Sequence, residues 1–191
     1  EKIAIGSGFT KNLLDLDNSV EQNINLLANA KKVKPSELTV CLLERTRHQK
    51  IIEELKKMNV KIKFIQDGDV SGVLCVIDKD SPVDMYIGTG GAPEGVLAAA
   101  ALSCLGGQIQ TRLILNKDEE KRAFNMGITD FKKKYNLEEM VKGDVMFCAS
   151  GVSDGDLVKG IKDKGDKYEA STYALHKEGQ KNIKITNIHK K

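Results

Sequence analysis

The stretch Val83-Asp84-Met85-Tyr86-Ile87-Gly88-Thr89-Gly90-Gly91-Ala92-Pro93-Glu94-Gly95-Val96-Leu97-Ala98-Ala99-Ala100-Ala101 decides how this chain is read. Val83 to Ile87 is a largely apolar run of the length of a short buried strand. A glycine-rich turn follows, and a helix opens behind it. Pro93 suits the first helical position, where its missing N–H costs nothing. Glu94 sets a carboxylate at the positive end of the helix dipole. The helix continues through the alanines to Leu105 and stops at Gly106-Gly107. Gly88, Gly90, Gly91 and Gly95 clear side chains from the helix entrance. A ligand can therefore approach the backbone, and free N–H groups there favour an anion, phosphate above all. A turn of this kind also arises simply because a chain must bend, and the spacing matches neither a Walker A loop nor G-x-G-x-x-G. Glu94 favours the ligand reading, since a carboxylate beside a phosphate calls for a cation between them.

Upstream of that stretch, Leu38 to Leu43 is nearly all apolar, the mark of a strand buried on both faces. Glu44-Arg45-Thr46-Arg47-His48 follows it, then a helix from about His48 to Met58 with Ile51, Ile52 and Leu55 inward. Val60 to Ile65 alternates as the next strand and ends in Gln66-Asp67-Gly68-Asp69, before an apolar helical segment from Val70 to Ile77. Further back lie a strand over Lys2 to Ile5 and a loop over Gly6 to Asp17. A helix then opens on the capping-box pair Ser19 and Gln22, with Val20, Ile24, Leu27 and Ala28 on one face. Strands alternating with helices indicate an α/β fold of βαβ units with a largely parallel or mixed sheet. Ligands of such sheets bind beyond the carboxyl ends of the strands. If three of the strands are parallel, Glu44 to His48, Asp67 to Asp69 and Gly88 to Glu94 share one edge.

Downstream, the pattern predicts a strand over Gln110 to Leu115, a charged helix over Lys117 to Phe124 and a helix over Thr129 to Met140. Asp144 to Ala149 reads as a strand, Ser150 to Asp156 as a polar turn, and Asp154-Gly155-Asp156 as a helix cap before Leu157. Lys167 to His176 and Lys181 to His189 form an antiparallel hairpin across Glu178-Gly179.

Composition narrows the function. The chain has 191 residues, 40% hydrophobic and 30% charged, which suits one domain with a substantial core. A net charge of +3 and 5% aromatic residues give no signature of a nucleic-acid binder. No apolar run reaches the ~18 to 20 residues that span a membrane. Cys41, Cys75, Cys104 and Cys148 lie in apolar runs without C-x-x-C spacing. They read as small buried residues of a reducing compartment rather than as disulfides or zinc ligands. His48, His176 and His189 are too dispersed for a histidine metal site.

Asp67 and Asp69 place two carboxylates on one tight turn, either as an Asx-type turn or for recognition of hydroxyls or metal. Arg45 and Arg47 bracket Thr46 at a strand end. Beside a glycine turn and a helix mouth, two guanidiniums make a phosphate clamp. Anion clamp, carboxylates and one acidic group at a helix mouth together point to metal-assisted phosphate chemistry.

At these residues the chain resembles the class II, GlpX-type fructose-1,6-bisphosphatases. The resemblance rests on Gly90 to Leu102 continuing through Cys104-Leu105-Gly106-Gly107, on Asp67-Gly68-Asp69-Val70, on Arg45-Thr46-Arg47-His48 and on Ala149 to Leu157, in that family's order and separations. It implies the layered fold of the lithium-sensitive sugar phosphatases and hydrolysis of the 1-phosphate of fructose 1,6-bisphosphate in gluconeogenesis. It further implies a cytoplasmic enzyme, often a dimer or tetramer, that works with two Mn²⁺ or Mg²⁺ ions and has no nucleic-acid or membrane partner. Carried over by motif, Glu94 is a metal ligand, while Gly91, Asp67, Gly68 and Asp69 are substrate contacts. Arg45, Thr46 and Arg47 clamp the phosphate that is not cleaved; the family often has Lys where Arg45 stands. The catalytic residues are left unassigned by the resemblance. Family members carry roughly a further third of chain ahead of Glu1, with the other metal ligands and the groups that place the attacking water. Residues 1–191 are therefore expected to be the C-terminal substrate-binding and partial metal-binding region, inactive alone. The rival readings are a non-catalytic sugar-phosphate-binding module and a phosphatase for sedoheptulose 1,7-bisphosphate or an inositol phosphate.

Overall fold

The computed structural model describes residues 1–191. In chain order the elements are β1 (Lys2–Ile5), α1 (Val20–Lys31), β2 (Thr39–Leu43), α2 (Gln49–Lys57), β3 (Lys61–Ile65), α3 (Asp69–Leu74), β4 (Met85–Gly88), α4 (Ala92–Leu105) and β5 (Gln108–Arg112). They continue with α5 (Lys117–Asn125), β6 (Lys134–Asn136), α6 (Leu137–Met140), β7 (Met146–Ser150), β8 (Lys162–Asp163), β9 (Lys167–His176) and β10 (Lys181–Lys190).

Six strands form one sheet in the order β3-β2-β4-β1-β5-β6. β2 is parallel to β3 and to β4, as βαβ connections require. β1 is inserted beside β4 and runs antiparallel to both β4 and β5, so the sheet is mixed. The period of two along each strand sorts the core into two halves. Ile3, Ile5, Val40, Leu42, Met85 and Ile87 face α1 and α2, where Ile24, Leu27 and Leu55 are fully buried. Ala4, Cys41, Tyr86 and Ile109 face the other way, onto Val73 of α3 and Ala98 and Leu102 of α4. Beyond these helices lies the second sheet, β10-β9-β7 with β8 on β9, which adds Phe147, Tyr173 and Leu175 to the same cluster. The chain thus stacks helices, sheet, helices and sheet in four layers.

Local signals explain the termini. Ser19 and Gln22 form the capping box, and Lys32 closes α1 in the left-handed region at φ 57°. Gly106 ends α4 at φ +83°, as a left-handed C-cap favours glycine. The first residue of α4 is Ala92, with Pro93 second.

Three sequence expectations are overturned. Thr129 to Met140 is not a helix: Lys134 to Asn136 pair with the free edge of β5, and Asn136 then caps the single turn α6. The pairing is non-local, which a helical pattern in a window of sequence cannot reveal. Asp154 to Asp156 cap no helix; the Asp154 Oδ1 accepts from the Gly160 N–H and Asp156 pairs with Lys63 on β3. Cysteine burial is also uneven. Cys41 and Cys75 are buried, whereas Cys148 is exposed, because it alternates with buried Phe147 along the edge strand β7. The closing hairpin forms as read, with Lys167 opposite Lys190 and His176 opposite Lys181. No helix is long and apolar enough to cross a membrane.

Candidate active site

Because β2, β3 and β4 are parallel neighbours, the segments that follow them emerge at one edge, and their side chains interlock there. Arg45 sits between the first two segments, with its guanidinium donating to the carbonyl oxygens of Glu44 and Gln66. Arg47 reaches the glycine turn: its Nε and Nη2 both donate to the Thr89 carbonyl oxygen, at 2.9 and 2.7 Å. His48, fully buried, holds the other side of the same residue, since the Thr89 N–H donates to its Nε2 at 2.8 Å. That fixes the tautomer. Nε2 must be the acceptor, so Nδ1 carries the proton and donates to the Leu43 carbonyl oxygen at 2.8 Å. Two consecutive residues of the β2 segment therefore grip both polar groups of one peptide residue in the β4 segment.

The β3 segment meets the same turn from another direction. Asp67 is exposed and its Oδ1 accepts from the Gly68 N–H. Gly68 adopts φ +81°, a value that favours glycine, and so directs the chain into α3. Asp69, two residues on from Asp67, is only 2% exposed and pairs with Lys2 at the start of β1. Its carboxylate packs on Gly90 so closely that a Cβ there would overlap Oδ2. Close to the same point of Gly90 stands Glu94, whose Oε2 accepts from the Gly91 N–H at 2.8 Å. Glu94 thus caps its own helix as well as presenting charge at the helix mouth.

The edge therefore gathers Arg45, Thr46, Arg47, Asp67, Gly68, Asp69, Gly91 and Glu94. Each arginine keeps guanidinium N–H groups beyond those used to tether it. Beside the turn runs a groove of about 530 Å³ bounded by Thr89 to Ala92, Lys2, Arg112, Tyr135 and Met140. Ser150 to Asp156 lies apart from the turn and flanks the Gly68 side through a second, shallower groove of about 350 Å³.

Nowhere do three or more His, Cys, Asp or Glu side chains group as for a metal ion. Glu94 fits a metal as one carboxylate ligand, already anchored through Oε2; the residues present do not form a whole coordination shell. Nor are the three thiols packed in the interior poised for nucleophilic attack. Burial pushes the Cys41 thiol up to about 12 and raises those of Cys75 and Cys104.

Two members of this edge have roles that a reading of the sequence does not assign. His48 stands in the Arg45-Thr46-Arg47-His48 motif, but nothing in its spacing marks what it binds. Lys2 offered one signal, a lysine opening an otherwise apolar strand.

The sequence matches the family described as bacterial fructose-1,6-bisphosphatase, glpX-encoded, over residues 1–189. It is 36% identical over 205 aligned positions to fructose-1,6-bisphosphatase class 2 of Haemophilus influenzae, covering 99% of this chain and 61% of that protein. It is 31% identical to D-fructose 1,6-bisphosphatase class 2/sedoheptulose 1,7-bisphosphatase of a Synechococcus species, covering 95% of this chain and 56% of the relative. The like-named protein of Trichodesmium erythraeum is 33% identical over 80% of this chain and 48% of its own length. The chain spans about half to three-fifths of the length of these relatives.

Proposed function

Because the chain belongs to the glpX-encoded bacterial fructose-1,6-bisphosphatase family, we propose that this edge binds a sugar bisphosphate. The enzyme it serves adds water to fructose 1,6-bisphosphate and releases the 1-phosphate, leaving fructose 6-phosphate. The convergence of the three segments on Thr89 to Gly91 carries this reading, since it sets two guanidiniums, two carboxylates and a helix N-terminus within one small region. Arg45 and Arg47, with Thr46 between them, hold the phosphate that stays on the sugar. Asp67 and Asp69 accept hydrogen bonds from sugar hydroxyls, and Gly68 and Gly91 let the sugar approach the backbone. Glu94 is the ligand this chain contributes to Mn²⁺ or Mg²⁺, which supplies Lewis-acid polarisation of the phosphoryl oxygens when bound.

In this reading residues 1–191 form the substrate-binding and partial metal-binding region. The remaining ligands, and the groups that place water, lie on chain outside them, and phosphate release depends on both parts. We place the reaction in cytoplasmic gluconeogenesis, in a homo-oligomer. Sedoheptulose 1,7-bisphosphate is a second substrate of the same edge, a reading favoured by the double names of two relatives.

The test is phosphate release from fructose 1,6-bisphosphate with Mn²⁺ or Mg²⁺ by the complete protein, its Glu94→Gln variant and the 191 residues alone. The side-chain amide oxygen of that variant still accepts from the Gly91 N–H, so the helix cap survives while the charge is lost. Activity confined to the complete protein and abolished by Glu94→Gln supports the proposal. Unchanged activity in the variant removes Glu94 from the metal site, and activity in the bare 191 residues places a whole active site within them.

A further inference from the structure

Lys2 is 2% exposed at the start of β1, opposite Gly88 in the antiparallel ladder with β4. Buried ammonium groups persist only with a partner, and the partner here is Asp69, equally buried. The ion pair is lopsided. Asp69 Oδ2 takes the ammonium and packs against Gly90, while Oδ1 is sealed from solvent with no hydrogen-bond partner at all. An orphaned carboxylate oxygen is costly, and native proteins keep one chiefly where a donor arrives from elsewhere. The Lys2 ammonium on the same carboxylate disfavours a second cation as that donor. A neutral hydroxyl meets no such repulsion. Gly90, which packs on the carboxylate, brings no side chain of its own to obstruct it.

From this arrangement we infer that Lys2 is a positioning residue for substrate. It holds Asp69 in place through Oδ2 and leaves Oδ1 alone to accept from a sugar hydroxyl. The inference rests on the proposed role of Asp69 as a hydroxyl contact and adds the group that orients it. Because β1 is hydrogen-bonded on both sides, by β4 and β5, the ammonium stands on a rigid element. Lys2 acts on binding, through Asp69, and not on the chemical step.

The test is steady-state kinetics of the complete protein on fructose 1,6-bisphosphate. Lys2→Met, Lys2→Arg, Asp69→Asn and the Lys2→Met/Asp69→Asn double variant are compared, with folding followed by circular dichroism. Asp69→Asn and Lys2→Met are each expected to raise KM about tenfold to a hundredfold, the effect of one charge-assisted hydrogen bond, with kcat within about threefold. Lys2→Arg keeps the charge and recovers part of the loss. In the Asp69→Asn background, where no unpaired carboxylate remains, Lys2→Met changes KM no further. That comparison stands even where Lys2→Met alone does not fold. A further rise in KM in that background, or wild-type KM in both Lys2→Met and Lys2→Arg, overturns the role of Lys2. An unchanged KM in Asp69→Asn itself refutes the hydroxyl contact on which it rests.

Discussion

His48 joins Thr89 to Leu43: its Nε2 accepts from the Thr89 N–H and its Nδ1 donates to the Leu43 carbonyl, both at 2.8 Å. The ring is fully buried, so the glycine turn is tied to the end of β2 by a contact that water cannot replace. His48→Ala removes both bonds and opens a cavity, with an expected loss of about 3 kcal/mol. In a thermal melt this is a fall of roughly 6 to 12 °C for a chain of this size. A melt within about 1 °C of the wild type would show that the turn holds without it.

Two glycines near the mouth of α4 should respond in opposite directions to alanine. At Gly90 a Cβ overlaps Asp69 Oδ2, a carboxylate held in place by its ion pair with Lys2, so Gly90→Ala destabilises by about 1 to 3 kcal/mol. At Gly95, inside α4, a Cβ meets only Thr111 Cγ2, at 3.7 Å. Gly95→Ala is expected to stabilise by about 0.5 to 1 kcal/mol through helix propensity. Urea unfolding of the two variants side by side measures both signs.

Thiol reactivity should single out one cysteine. Cys148 is exposed on β7, whereas Cys41 is buried with its thiol pushed up to about 12. A chromogenic disulfide reagent added to the native protein should titrate one fast thiol, and Cys148→Ser should remove it. Cys41 should react only after unfolding.

Lys134 on β6 pairs with Asp15 and Asp17 of the loop that follows β1, and its hydrogen bonds hold both carboxyls below their usual range. A depressed folded-state value means that the contribution is present above the unfolded carboxylate value of about 3.9. It is lost as pH falls through the lower folded values. Asp17 is exposed and Asp15 half-buried, so solvent screening keeps the effect small. The difference in melting temperature between wild type and Lys134→Met should be largest near neutrality and close toward pH 2. A difference that persists at pH 2 would assign it to packing of the lysine stem instead.

Much of this edge was legible because β2 and the segment Val83 to Gly88 announce themselves as buried runs punctuated by glycine, arginine and aspartate. Their parallel arrangement followed from the helices between them. The direction of β1 was not legible. Four residues, Lys2 to Ile5, carry the same pattern whichever way they run, and only pairing with residues 85–88 and 108–111 orients them. For the same reason Lys2 could not be assigned to the site, nor Lys134 to Asn136 to a strand. His48 was hidden differently: its role depends on a backbone N–H and a carbonyl, which every residue offers and no sequence displays. Cys148 misled because apolar neighbours suit an edge strand as well as a buried one.

The insertion of β1 between β4 and β5 also sets an order of assembly. The β2-α2-β3 unit and β4 can associate from nearby chain, but β1 has no partner until β4 exists and is paired on both sides only once β5 does. During translation its four residues wait for Gly88 to emerge opposite Lys2, and its second edge stays open until Thr111 does. Long-range closure of that kind is slow, so the arginine and aspartate segments would be in place before the lysine beneath them locks. Closure of β1 between its two partners then completes the binding edge.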